Sequence, residues 1–186
     1  MFHPRYPTAF NLGKLGAILG HEIMHGYDAN NFNIDWNGID LVWNAETLAK
    51  FENKTQCLVD QYGNITVAEA NINLNGTLNI SENMAGNGGI SLVYQALLSY
   101  LKKVGGENSA ISGLNYTPKQ LLFIGFAQPT CTKQSVESLI HHINTLSHAP
   151  FRFRVDVSAS NMPEYAEAFN CPSGSPMNPV EKCLVW

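Results

Sequence analysis

The stretch LGAILGHEIMHGY, residues 15–27, decides how this chain is to be understood. It predicts a helix that is apolar on nearly every side except at His21, Glu22 and His25. A helix apolar all round belongs inside a protein. Within it, His21-Glu22-Ile23-Met24-His25 has the form H-E-x-x-H. Positions i and i+4 share a helix face, so two imidazoles can reach one Zn²⁺ at about 2.0–2.1 Å. Glu22 stands one residue round, where a carboxylate can take a proton from water. Without a metal or partners, burying this polar triplet would cost several kcal/mol.

Catalytic zinc takes three protein ligands and keeps one open position. The extended pattern H-E-x-x-H-x-x-G-x-x-H would need histidine at position 31, where Asn31 stands, so that class is excluded. The alternative is a carboxylate from a second helix. The clearest one spans about 81–103, with Ile90, Val93, Tyr94, Leu97, Leu98 and Leu101 on one face. Ser81 is expected to cap its start, and Gly105-Gly106 follows its end. Glu82 lies eleven residues before Val93, almost a whole number of turns, so its carboxylate should project from the apolar face. Taken alone, Glu82 reads more readily as a helix N-terminal acid favoured by the dipole; paired with H-E-x-x-H upstream it becomes the preferred third ligand. Asn87-Gly88-Gly89 weakens the helix by about 1 kcal/mol per glycine. Such a cost is easiest to justify where another backbone passes close by.

Around these two helices, residues 4–13 should be extended, 27–40 loop, 47–62 helix and 63–78 loop or weak helix. Residues 117–128 read as a further apolar helix or buried segment with Pro118 at a suitable first helical position, and 135–145 as a short helix. Residues 151–157, FRFRVDV, alternate like a strand, and the tail 171–186 is irregular. The expected fold is mainly α with minor β.

With 186 residues, 45% hydrophobic and 14% charged, the chain is globular rather than disordered. A formal charge of −4 with no basic cluster gives no reason to expect a nucleic-acid partner. The longest apolar runs, 15–19 and 120–127, are too short for a membrane segment. Residues 1–6 have no apolar core of a signal peptide. Five N-x-[ST] sequons, at Asn53, Asn64, Asn75, Asn79 and Asn115, nevertheless point to a secretory history. Cys57, Cys131, Cys171 and Cys183 lack C-x-x-C spacing, which favours disulfides over thiolate zinc ligation. Together these features suggest an extracellular chain whose N-terminal part lies elsewhere.

Six stretches carry a resemblance to a known family: residues 4–28, 57–64 (CLVDQYGN), 78–89 (LNISENMAGNGG), 121–131 (LLFIGFAQPTC), 147–155 (SHAPFRFRV) and 165–186. In this order they resemble the neprilysin and endothelin-converting-enzyme family of zinc metallopeptidases. The resemblance implies that residues 1–186 are the C-terminal part of a gluzincin catalytic domain, with a large N-terminal domain missing. It implies a zinc endopeptidase acting on internal bonds of oligopeptides, before hydrophobic residues. It further implies one Zn²⁺ on His21, His25 and Glu82, Glu22 as base, His148 beside the oxyanion and Arg154 on a substrate carbonyl. Cys57–Cys183 would be an internal disulfide, leaving Cys131 and Cys171 free.

Three positions depart from the family pattern. Gly86 and Leu146 stand where the family has aspartates that orient a zinc-ligating histidine and the oxyanion histidine. Losing one such partner typically costs ~10–100-fold in metal affinity or activity. Thr130 replaces a tryptophan beside the side-chain pocket. The alternative expectation is therefore an impaired pseudo-peptidase that binds peptides or partners.

Overall fold

The computed structural model describes residues 2–106 and 115–186. One nearly continuous helical rod begins with α1 (Thr8–Asn11), passes through a π turn (Leu12–Gly16) into α2 (Ala17–Met24), and ends in a 3₁₀ turn (His25–Tyr27). The extended start expected for residues 4–13 is not found: residues 4–6 turn, with Tyr6 N donating to His3 O at 3.0 Å, and Pro7 occupies the N-cap of α1. Asn11 folds the preceding residues back, accepting from His3 N at 3.1 Å and donating to His3 O at 2.9 Å.

The next long helix, α3 (Ala45–Gly63), is capped by the Asn44 side chain, which accepts from Thr47 N. A two-stranded hairpin follows, β1 (Thr66–Val67) against β2 (Ile72–Asn73), where a loop or weak helix was expected. Helix α4 (Ile80–Val104) then crosses the molecule and ends on left-handed Gly105. Its cap position is Asn79, without a side-chain cap, and Ser81 does not serve as the expected cap. The expected apolar face is buried at Ile90, Val93, Tyr94, Leu97 and Leu101. Leu98, at 36% exposure, lies on its rim.

Helix α5 (Pro118–Ala127) starts with a full capping box between Thr117 and Gln120. Helix α6 (Val136–Thr145) is capped by Ser135. Residues 151–157 are not a strand but the start of α7 (Phe151–Ser160), which follows Pro150. The alternation FRFRVDV fits either period over so short a run. Burial of Phe153 and Val157, four residues apart, decides it for a helix. A short α8 (Pro163–Phe169) precedes the irregular tail.

Two apolar cores result. One gathers Phe10, Leu97, Leu122 and Phe123 among α1, α4 and α5. The other gathers Phe51, Leu58, Tyr62, Met84, Phe153 and Val185, and is stitched by the disulfide Cys57–Cys183. Helix α4 contributes to both, its first turns with Ile80 and Met84 to the second core and its later turns from Ile90 on to the first. It also meets α2 backbone to backbone. A Cβ on Gly20 would lie 2.6 Å from Gly89 O, and one on Gly89 2.6 Å from His21 N. Only glycine allows that approach, as the interruption in α4 suggested. No helix among the described residues is long and apolar enough to cross a membrane.

Candidate metal centre

The crossing of α2 and α4 sets the site. Because α2 lies against Gly89 and α4 runs on past it, Glu82, two turns earlier in α4, comes under the inner face of the H-E-x-x-H helix. His21 Nε2 and His25 Nε2 stand 3.1 Å apart. Glu82 Oε2 is 3.0 Å from the first and 3.7 Å from the second. A tetrahedral ion bound at 2.0–2.1 Å requires ligand atoms about 3.3 Å apart, and these three separations bracket that value. These are also the residues whose ligand atoms all lie within 4.8 Å of one another.

A second observation supports the fit. Glu82 Oε2 is buried and has no partner in hydrogen-bond geometry, although three imidazole nitrogens surround it. Burial pushes the Glu82 carboxyl up. The close approach of the His21 ring and the charges of His148, His21 and His25 outweigh that and hold it below the ordinary carboxylate value. An ionised oxygen facing two nitrogens without a proper donor suits a divalent cation.

His25 carries a support that its sequence context did not suggest. Its Nδ1 donates to Asp28 Oδ2 at 2.7 Å, which leaves the Nε2 lone pair free for metal. Asp28 is 1% exposed and its other oxygen accepts from Asn30 N and Asn31 N. The available signal was H-x-x-D, three residues apart across the 3₁₀ turn. Among the described residues, the carboxylate that meets His21 is that of Glu82 itself. Gly86, one turn after Glu82, presents only an open face toward Ser158, whose Oγ would lie 3.5 Å from an added Cβ.

Beside the metal locus lies a cavity of about 320 Å³. Glu22, His148 and Arg154 line it with His21 and Gly86, Ile18 and Phe126 give it an apolar side, and Lys14 and Thr130 stand at its wall. His148 Nε2 reaches Glu82 Oε2 at 3.0 Å. Desolvation and the charge of Arg154 push His148 below its ordinary value, while Glu82 pulls it up. Arg154, on the cavity face of α7, is desolvated and has no ion pair within reach among the described residues. The other arginine of that helix, Arg152, is taken up outside by Glu69 through two bonds of 2.7 and 2.8 Å. Of the residues singled out for chemistry in the sequence, His21, Glu22, His148 and Arg154 line this cavity, while His25 and Glu82 stand against His21; Arg154 arrives on a helix instead of a strand.

Cys57 and Cys183 are bonded, and Cys131 and Cys171 are free. Four sequon asparagines are exposed, but Asn79 is 1% exposed and donates through Nδ2 to Leu146 O at 2.9 Å. The folded chain therefore cannot present Asn79 for glycosylation.

Two histidines from one helix, a glutamate from another and an open cavity beside them define a zinc-peptidase fold of the zincin type. The family model "Peptidase family M13" matches residues 1–185, and the chain belongs to that family. It is 40% identical to Neprilysin-1 of Caenorhabditis elegans and 41% identical to Membrane metallo-endopeptidase-like 1 of Mus musculus. Both matches cover 100% of this chain but only 25% and 24% of those proteins. The chain thus spans about a quarter of the length of the curated relatives it matches. Among solved structures, the Mycobacterium tuberculosis zinc metalloprotease Zmp1 in complex with inhibitor is 30% identical, with TM-score 0.82. That match covers 92% of this chain and 26% of the other. The Haemonchus galactose containing glycoprotein complex reaches TM-score 0.91 at 31% identity, over 100% of this chain and 31% of that one.

Proposed function

We propose that the protein of which these 186 residues form the C-terminal catalytic part is a zinc-dependent endopeptidase acting on internal bonds of oligopeptides outside the cell. One Zn²⁺ on His21, His25 and Glu82 would polarise the scissile carbonyl and acidify the attacking water. Glu22, on the cavity wall, takes the proton from that water and returns it to the leaving amine. His148 donates a hydrogen bond to the oxygen that gains charge as the carbonyl becomes tetrahedral. Arg154 holds a second backbone carbonyl of the peptide and fixes the register of the scissile bond. The apolar wall of Ile18 and Phe126 receives a hydrophobic side chain, with Thr130 narrowing the choice less than a large ring would.

The observation that carries this reading is the set of separations among His21 Nε2, His25 Nε2 and Glu82 Oε2. Metal analysis of the purified chain should give close to one zinc per molecule, and less than a tenth of an equivalent defeats the reading. Turnover of a quenched oligopeptide should fall ~10²- to 10⁴-fold in Glu22→Gln with zinc content unchanged.

A second reading, an impaired peptidase that binds peptides or partners, is favoured by the open face of Gly86 beside the His21 helix. Equal turnover in the parent and Glu22→Gln would support it. Gly86→Asp separates the two. Its Cβ would meet Ser158 Oγ at an ordinary 3.5 Å, and it should raise zinc affinity or turnover ~10-fold if a missing carboxylate limits the site.

A further inference from the structure

The loop that carries His148 has no regular structure of its own, yet it must hold an imidazole beside the metal locus. Its native side chains do little to fix it. Leu146 is 43% exposed, and among the described residues the polar atoms within hydrogen-bond distance of the His148 ring are Glu82 Oε2 at 3.0 Å and Ser147 Oγ at 3.3 Å. The backbone is secured instead. Asn79 Nδ2 donates to Leu146 O at 2.9 Å, and His142 Nε2 lies 3.1 Å from His148 O. Both anchors are buried, at 1% and 6% exposure.

A carbonyl can only accept, so His142 Nε2 carries the proton and Nδ1 the lone pair. Gln134 Nε2, 3.2 Å from Nδ1, supplies the matching donor. The neutral ring is satisfied on both sides, and desolvation favours that neutral form. Two peptide units separate the anchored carbonyls, so the swing and height of the His148 Cα are fixed from the last turn of α6 and from the N-cap of α4. The same α4 cap stands three residues before Glu82, which ties this loop to the metal locus.

We infer that His142, with Asn79, is a positioning residue that sets His148 against the cavity through the loop backbone. The effect on turnover rests on the peptidase reading; the effect on the loop does not.

The test uses the full chain with His142→Phe, which keeps volume and removes the donor, and His142→Gln, which restores one. In zinc-loaded protein, His142→Phe should lower kcat ~10- to 100-fold with KM within about twofold, as a displaced catalytic group does. It should weaken a phosphoramidate peptide, whose tetrahedral oxygens reach His148, by a similar factor. A peptide thiol, which binds the metal without such an oxygen, should bind within about twofold. His142→Gln should recover most of each loss. The readout independent of zinc and activity is the ¹⁵N spectrum of the His148 ring in metal-free protein, which should shift or broaden in His142→Phe and return in His142→Gln. An unchanged His148 spectrum overturns the proposal, as does equal loss of phosphoramidate and thiol binding. Absence of zinc or inhibitor binding in the parent chain would instead defeat the peptidase reading, and the spectrum would still decide this one.

Discussion

The His21–His25–Glu82 side of the cavity is held by backbone against backbone, whereas the side that bears His148 is held by side chains against carbonyls. On the first side, Gly20 and Gly89 let two helices touch, and no rotamer can adjust the result. On the second, a loop takes its place from Asn79 and His142, and other donors could in principle serve. The contrast shows why ligand spacing is readable as a motif while ligand support is not. Spacing follows from helix pitch, but support can come from any polar group that reaches the right atom.

The largest blow to this contrast should come from Gly89→Ala. Its Cβ would lie 2.6 Å from His21 N, and a backbone atom cannot turn aside. Chemical denaturation should show a loss of about 3 kcal/mol, with zinc content falling in parallel. A loss under about 0.5 kcal/mol would mean that the helices can part without harm to the site. Asp28→Asn should act more narrowly. It keeps an acceptor for His25 Nδ1 but removes the charge, and zinc affinity measured by competition with a chelator should drop ~10-fold. An unchanged affinity would show that helix geometry alone orients His25.

The smallest effect concerns pH and only the loop side. Burial, with the charges of Arg154 and His141, holds His142 below its ordinary value against the opposing His148 carbonyl bond. Between its folded value and about 6.5, the unfolded chain binds more protons than the folded one. The stability this group contributes is therefore full above that pH and is lost as pH falls below it. Denaturation midpoints of metal-free protein from pH 7.5 down to 5 should fall more steeply in the parent than in His142→Gln. Parallel curves would remove His142 from the account.

Much of the centre was legible in the sequence because its parts obey helical periods. His21 and His25 are one turn apart, Glu82 is in register with Val93, and the glycines of α4 announce a close neighbour. The parts that were not legible obey no period. FRFRVDV satisfies alternation and helix alike, and only the core beneath Phe153 and Val157 chooses between them. Leu146 offers no side-chain acceptor, and nothing local reveals that His142, four residues before it, reaches round to the carbonyl of His148. Asp28 was within sight of His25 and still needed the 3₁₀ turn to bring it there. Ser81 had the right chemistry for a cap, yet the helix begins one residue earlier.

The bond from Asn79 to Leu146 has a consequence for biosynthesis. Oligosaccharide transfer to an asparagine uses its Nδ2, the atom that here closes the His148 loop. In a secretory compartment, enzyme-catalysed tagging and chain folding would compete for that single nitrogen. A sugar at Asn79 would mark a molecule tagged before this nitrogen was buried against the loop.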